Sequence, residues 1–168
     1  MMPEPEGGAP PQPRLRLHVR WLIRRDLPEV LAIEQASAAA PWNEEEFLRV
    51  LRQRQCSSMV VEHGDDIVGF ALYRLHKTHI DVLNFAVHPR FRRHGVGRQL
   101  VDKLKGKLRG VVRTRLELQV RERNIDALKF FRAQGFLAID MLREAYADSG
   151  EDAIVMEFTH PSDSSDEG

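Results

Sequence analysis

The chain has one cysteine, Cys56, among 168 residues. No disulfide can form within it, and a reducing compartment such as the cytoplasm is the expected setting. Cys56 reads as a small buried residue, because a nucleophilic role would need a base and an oxyanion site that the sequence does not locate. Long apolar runs are also missing, so no membrane span is expected. Residues 1–13 are too rich in Pro, Gly and Glu for a signal peptide. Neither sign of charge is in excess, since Lys plus Arg equals Asp plus Glu at 25 each. Without an overall field, neither nucleic acid nor a membrane surface is an expected partner. No internal repeat is evident.

What is present is 42% hydrophobic and 30% charged sequence, long enough for one domain with a full core. Residues 1–14 and 160–168 lack periodicity and are expected to be disordered tails around a single domain, 15–159. Within it, Leu17, Val19, Trp21 and Ile23 alternate as in a strand. Asp26-Leu27-Pro28-Glu29 has the pattern of a helix start. Asn43 and Glu46 form a capping-box pair opening a second helix, so the 44–46 acidic run reads as helix-end electrostatics. Strands over 59–62 and 67–74 flank a hairpin turn at 63–66, and a third covers 81–87. A long helix, a strand over 114–121 and a helix capped by Asn124 and stopped by Gly135 follow. Two strands near 138–145 and 152–158 close the chain. The expected architecture is α/β (α+β), with a mixed sheet.

The most informative stretch runs from Leu83-Asn84-Phe85-Ala86-Val87 through His88-Pro89-Arg90-Phe91-Arg92-Arg93-His94-Gly95-Val96-Gly97-Arg98 into that long helix. Gly95 and Gly97 lack the Cβ atoms that hold a backbone away from a ligand, and Gly97 is expected to open the helix. Free N–H groups at a helix start favour an anion. Arg92, Arg93 and Arg98 add permanent charge and bidentate donors, so the loop is suited to a diphosphate. A nucleoside-triphosphate loop is excluded by the lack of Gly-Lys-Ser/Thr, and a dinucleotide fold by the lack of its first strand and glycine triplet.

At Arg92-Arg93-His94-Gly95-Val96-Gly97 the chain resembles the GNAT superfamily of N-acetyltransferases, whose phosphate loop reads Arg/Gln-x-x-Gly-x-Gly/Ala. Further segments match the RimI-type ribosomal-protein alanine N-acetyltransferase branch in order and spacing: Ile33-Glu34-Gln35, Pro41-Trp42-Asn43, Val120-Arg121-x-x-Asn124, Gln134-Gly135-Phe136 and Glu151-Asp152-Ala153-Ile154-Val155-Met156. The resemblance implies a mostly antiparallel sheet of about seven strands with about four helices, splayed at the central strands. It implies acetyl-CoA as acyl donor and no metal. Coenzyme A contacts would come from Phe85, Ala86 and Val87, from Arg92 to Arg98 (with His94, Gly95, Val96 and Gly97), and from Asn124 and Phe131. A main-chain N–H near Val87 would polarise the acyl carbonyl.

The family pattern breaks at two positions. The branch uses the glutamate of a Leu-Glu-Val-Arg strand as base and a tyrosine seven residues after the Asn as acid. Here Gln119 and Phe131 stand there, and neither can perform a proton transfer. Glu117, on the same strand face and about 7 Å from Gln119, is one candidate base acting through a water. Glu34 is a second candidate base or amine-binding carboxylate, and Tyr146, the survivor of a family Tyr-Tyr pair, is the candidate acid.

An α-amine with pKa about 8 needs only about 1 kcal/mol to reach its neutral form at pH 7, whereas a lysine needs roughly 4 to 5 kcal/mol. A weakened base therefore favours an α-amine acceptor such as the N-terminus of a protein, and the resemblance implies a ribosomal one. Two alternatives stay open: a small-molecule amine as acceptor, and a non-catalytic acyl-CoA-binding module. A monomer or weak homodimer is expected. His76 and His79 suggest a metal pair, but no third ligand is apparent in the sequence. His88 and His94 flank the loop and suit tuning of phosphate affinity, while Trp21 and Trp42 read as core or groove aromatics.

Overall fold

A computed structural model of the chain describes residues 15–109 and 111–161. Strands β1 (His18–Trp21), β2 (Cys56–His63), β3 (Asp66–Leu75), β4 (His79–Val87), β5 (Arg115–Arg121), β6 (Leu137–Leu142) and β7 (Ala153–Thr159) form one sheet in the order β1-β2-β3-β4-β5-β7-β6. Helices α1 (Leu27–Ser37), α2 (Glu44–Leu51), α3 (Val96–Lys105) and α4 (Ile125–Ala133) cover it. Every strand pairing is antiparallel except β4 with β5. Among the described residues, no helix is long and apolar enough to cross a membrane.

Two cores lie on the two faces of this sheet. Ile80, Leu100, Val101, Leu104, Leu116, Leu118, Val120 and Phe131 fill one, under α3 and α4. Leu27, Val30, Ile33, Phe47, Phe70 and Leu72 fill the other, under α1 and α2. The strict alternation of β5, with Leu116, Leu118 and Val120 buried, follows from the period-2 geometry of a strand and turns Arg115, Glu117, Gln119 and Arg121 to the opposite face.

Local signals set several boundaries. The Asn43–Glu46 capping box is reciprocal, with Glu46 N–H donating to Asn43 Oδ1 at 2.9 Å and Asn43 N–H to Glu46 Oε2 at 3.1 Å. Asn124 Oδ1 accepts from Ala127 N–H at 3.2 Å and starts α4. Gly135, at φ +95°, ends it in the left-handed region.

Other expectations are corrected. Asp26 makes no cap bond to α1; its carboxylate instead accepts from Arg20 and from Ile23 N–H, bracing a 3-10 turn over Arg24–Asp26. That turn also ends β1 early, so Trp21 stands 65% exposed rather than in the core, while Trp42 packs edge-on against Phe47 at 5.4 Å. Cys56 is half-buried, its thiol 3.6 Å from Gln53 Oε1. Helix α3 begins at Val96, with Gly95 as its N-cap, and stops at Lys105. His160, assigned by composition to the tail, donates its N–H to Thr114 O at 2.7 Å. The rest of both expected tails, 1–14 and 162–168, lies outside the described residues.

Candidate active site

The pairing of β4 with β5 stops at Val82–Leu118, although both strands continue. At the same place the register of β4 against β3 slips, from Tyr73–Val82 to Leu72–Asn84, leaving Leu83 as an extra residue. An extra residue bends its strand, so the bulge turns β4 away from β5 and opens a fork. A cleft of about 580 Å3 occupies the fork, lined by β4 residues Val82 to Ala86, β5 residues Leu118 to Arg121, and the start of α4. The end of α1, the 38–40 loop and the β6–β7 loop with Tyr146 and Glu151 complete its walls.

The backbone direction of β4 in the fork follows from one bond. His88 N–H donates to Val68 O at 2.8 Å, and strand amides alternate sides, so Val87 and Phe85 turn their backbone groups away from β3. Two observations agree: Phe85 N–H donates to Asn84 Oδ1 at 2.8 Å, and Val87 O lies 3.4 Å from Ser37 Oγ. These are the polar main-chain groups that an extended ligand arm in the fork would meet.

Beyond Val87 the chain makes a 3-10 turn, Pro89–Phe91, capped by His88, whose Nδ1 accepts from Arg90 N–H at 3.1 Å. The phosphate-type loop follows. Arg93, at φ 66°, and Gly95, at φ +81°, are both left-handed, and a non-glycine residue adopts that conformation at a cost of about 1–2 kcal/mol. Arg92, Arg93 and Arg98 are exposed around the first turn of α3, which holds no acidic residue. An added Cβ on Gly95 would meet nothing within 4 Å, whereas one on Gly97 would come within 2.8 Å of Phe130 Cζ. Gly95 thus serves the turn, and Gly97 the close packing of α3 on α4. Phe131 lies nearly buried in an edge-on aromatic group with Phe85 and Phe136, each at 5.3 Å, and forms part of the cleft wall.

Glu34 is the most deeply buried carboxylate of the cleft, at 2% exposure. It accepts a hydrogen bond from Asn84 Nδ2, so helix α1 is tied to the β4 bulge through one side chain. Burial raises its pKa, the Asn84 bond opposes the rise, and the Glu46 charge adds to it. Gln119 faces the same cleft from β5, exposed. Glu117 does not line the cleft: it sits below the fork, in register with Asp81 on β4 and Glu157 on β7.

Tyr146 is brought in by its loop. The Arg121 guanidinium stacks on its ring at 4.0 Å and reaches Asp148 Oδ1 at 3.1 Å, Ser149 Oγ at 3.3 Å and Glu151 Oε1 at 3.5 Å. Burial pushes the phenol above its usual pKa, Arg121 opposes this, and Glu151 and Asp148 add to it. The sequence had marked Arg121 and Glu151 only as parts of a motif. Their joint role in fixing the loop depends on a contact across 30 residues that no local pattern announces. His76 and His79 acquire a third neighbour, Asp81, at the far end of β4.

Comparison with known proteins agrees with this geometry. The sequence model of the acetyltransferase (GNAT) family matches residues 23–136. The ribosomal protein bS18-alanine N-acetyltransferase of Salmonella typhimurium is 35% identical over 139 residues, covering 80% of this chain and 92% of that protein. The crystal structure of the Escherichia coli ribosomal-protein-S18-alanine N-acetyltransferase superposes with a TM-score of 0.75 at 27% identity, over 91% of this chain and 99% of that one. Ard1 of Thermoplasma volcanium gives 0.78 at 29% identity, over 86% and 98%. A forked mixed sheet with an arginine-glycine loop, matched by the family sequence and by these relatives, establishes that the chain belongs to the GNAT acetyltransferase family, in the branch of the ribosomal-protein alanine N-acetyltransferases.

Proposed function

We propose that the chain transfers an acetyl group from acetyl-CoA to the N-terminal α-amine of a protein, with Glu34 as the group that takes up the amine's proton. The observation that carries this reading is the buried Glu34 carboxylate in the fork, held by Asn84, its pKa raised by burial, facing a cleft in which the family's strand glutamate is Gln119. A base is most effective when its pKa lies near the working pH, and burial moves Glu34 in that direction. The pyrophosphate of the cofactor lies on the Arg92–Arg98 loop and the start of α3. The pantetheine arm follows Phe85, Ala86 and Val87, with Asn124 and Phe131 beside it. The Val87 N–H polarises the thioester carbonyl, favouring attack by the neutral amine.

The amine's nitrogen bonds to the acyl carbon, the thioester C–S bond breaks, and the departing sulfur carries the electron pair. Tyr146, kept protonated by its raised pKa, donates a hydrogen bond to that sulfur. A thiolate of pKa near 8.5 is a weaker base than a tyrosinate, so full proton transfer from Tyr146 is not required. The α1–α2 and β6–β7 loops wall the acceptor end, where Glu34 and Glu151 are among the lining residues that a peptide amine would meet. Alanine-terminated ribosomal proteins are the first acceptors to try, since the relatives are named for one. Its single thiol suits a cytoplasmic enzyme.

The test is acetyl-CoA turnover on peptides starting with Ala, on lysine-containing blocked peptides and on small amines, using the wild type, Glu34→Gln, Glu117→Gln, Gln119→Glu and Tyr146→Phe. The proposal expects α-amine peptides to be preferred and Glu34→Gln to be the most damaging change. Tight acetyl-CoA binding with no acetylation of any amine would identify a non-catalytic acyl-CoA-binding module instead. Small amines outpacing every peptide would move the acceptor to that class. A larger loss in Glu117→Gln than in Glu34→Gln would return the base to Glu117 through a water.

A further inference from the structure

The β3–β4 turn carries a cluster that the transfer chemistry leaves unused. His76 Nε2 lies 2.7 Å from Asp81 Oδ2, and His79 Nε2 lies 3.2 Å from Asp81 Oδ1. The ligand-type atoms of all three residues fall within 4.8 Å of one another. Donor atoms of a tetrahedral zinc ion stand about 3.3 Å apart, given metal–ligand bonds of about 2.0–2.1 Å, so the three groups are spaced for one ion once the imidazole rings turn to face it. We propose that His76, His79 and Asp81, joined by Glu117 from the adjacent strand, bind a divalent ion of the zinc class that ties β4 to β5 just below the fork.

The surroundings hold these groups in place before any ion arrives. His76 N–H donates to His79 O at 2.9 Å, closing the turn, and Arg113 Nε donates to His76 O at 2.8 Å. Both Nε2 atoms meet the one Asp81 carboxylate, the rings stacked with centroids 4.4 Å apart and planes 10° from parallel; binding one ion turns them out of this stack, because a metal–imidazole bond lies in the ring plane. The other nitrogen of His79, Nδ1, lies 3.2 Å from Thr78 Oγ1, the kind of outer partner that fixes the tautomer and orientation of a ligating imidazole.

Charge points the same way. Asp81 and Glu117 are register partners on β4 and β5, and Glu117 is in turn the partner of Glu157 on β7. Paired residues share a sheet face at about 4.8 Å strand spacing, and like charges placed so are destabilising unless a cation intervenes. The cations nearby are otherwise engaged: Arg74, opposite Asp81 on β3, donates to Gln53, and Arg115 pairs with Glu157 at 3.8 Å. Among the described residues, the ion-pair partners of Asp81 are the two histidines, and Glu117 has none. Two imidazoles with carboxylates suit zinc and its neighbours rather than magnesium or calcium, which take oxygen ligands. Four register pairs, His79 to Val82, join β4 to β5, as few as join β1 to β2, so an ion here fastens one of the two shortest seams of the sheet.

The test is calorimetric titration of the chelator-stripped full chain with zinc chloride, with thermal unfolding followed alongside and acetyl-CoA binding as the check on folding. One zinc per chain is expected, with a raised Tm. His79→Ala and Asp81→Asn should weaken binding about 100-fold, and the milder Thr78→Val and Glu117→Gln about tenfold. His18→Ala, on edge strand β1 at the other end of the sheet, should bind as the wild type does. Sub-stoichiometric binding by the wild type, or binding that His79→Ala and Asp81→Asn leave intact, overturns the proposal and leaves the cluster a hydrogen-bonded clamp.

Discussion

Glu34 combines two properties that a surface carboxylate lacks: it is withdrawn from water, and its one strong partner, Asn84, is neutral. Desolvation therefore outweighs hydrogen bonding, and the carboxyl holds its proton more tightly in the fold than in the unfolded chain. The linkage has a definite sign. The folded pKa lies above the unfolded one, so the stability that comes from this site is complete below pH 4.5, glutamate's usual value, and is lost as pH rises through the raised value. Glu34→Gln keeps an acceptor for Asn84 but cannot ionise. Urea unfolding of that variant should show a smaller fall in stability across this window than the wild type; an unchanged slope counts against the assignment. In turnover, the same variant should lose about 100-fold in kcat with acetyl-CoA affinity kept, within the range for removal of a general base.

At the scale of elements, the β4–loop–α3 unit was legible because its signals are local. The apolar run of β4, two glycines and an arginine cluster specify a strand, a turn and a helix without reference to the rest of the chain. The caps at Asn43 and Asn124 were legible for the same reason, since each bonds within three residues. The fork was not readable from the residues themselves, because it arises where a bulge at Leu83 coincides with the end of β5 pairing, and both are properties of partners distant in sequence. The Arg121 clamp and the Asp81 contacts escaped notice similarly, and Glu117 was placed near the chemistry only because strand spacing measures along β5 and not across to β4. The two loop glycines can now be separated. Gly97→Ala forces a methyl to within 2.8 Å of Phe130 Cζ and should cost about 1–3 kcal/mol by overpacking, seen as a lowered denaturation midpoint. Gly95→Ala has open space, so its cost is conformational, about 1 kcal/mol. Phe130→Leu should recover part of the loss in Gly97→Ala and none in Gly95→Ala; equal recovery in both would show that packing is not the distinction.

Across the whole molecule, the two ends of the cleft are built by different parts of the chain. The end proposed for the cofactor comes from β4, the arginine loop and α3, with the start of α4. The end proposed for the acceptor comes from the α1–α2 connection and the β6–β7 loop, and the latter is held by Arg121 through its stacking on Tyr146 and its bonds to Asp148, Ser149 and Glu151. Among the described residues, the arginine loop makes no hydrogen bond or ion pair to that clamp, so damage at one end should not propagate to the other. Replacing both Arg92 and Arg93 by Ala removes two exposed cations from the phosphate site, and KM for acetyl-CoA should rise roughly tenfold, less so in high salt, where exposed charges are already screened. Arg121→Ala frees the β6–β7 loop, and its effect should fall on KM for the peptide, about tenfold, with acetyl-CoA binding kept. Independent sites add in free energy, so the triple variant should show both losses multiplied, within a factor of about two. A loss in acetyl-CoA affinity on Arg121→Ala alone would mean instead that the β6–β7 loop closes over the cofactor, and that the two ends of the cleft act as one.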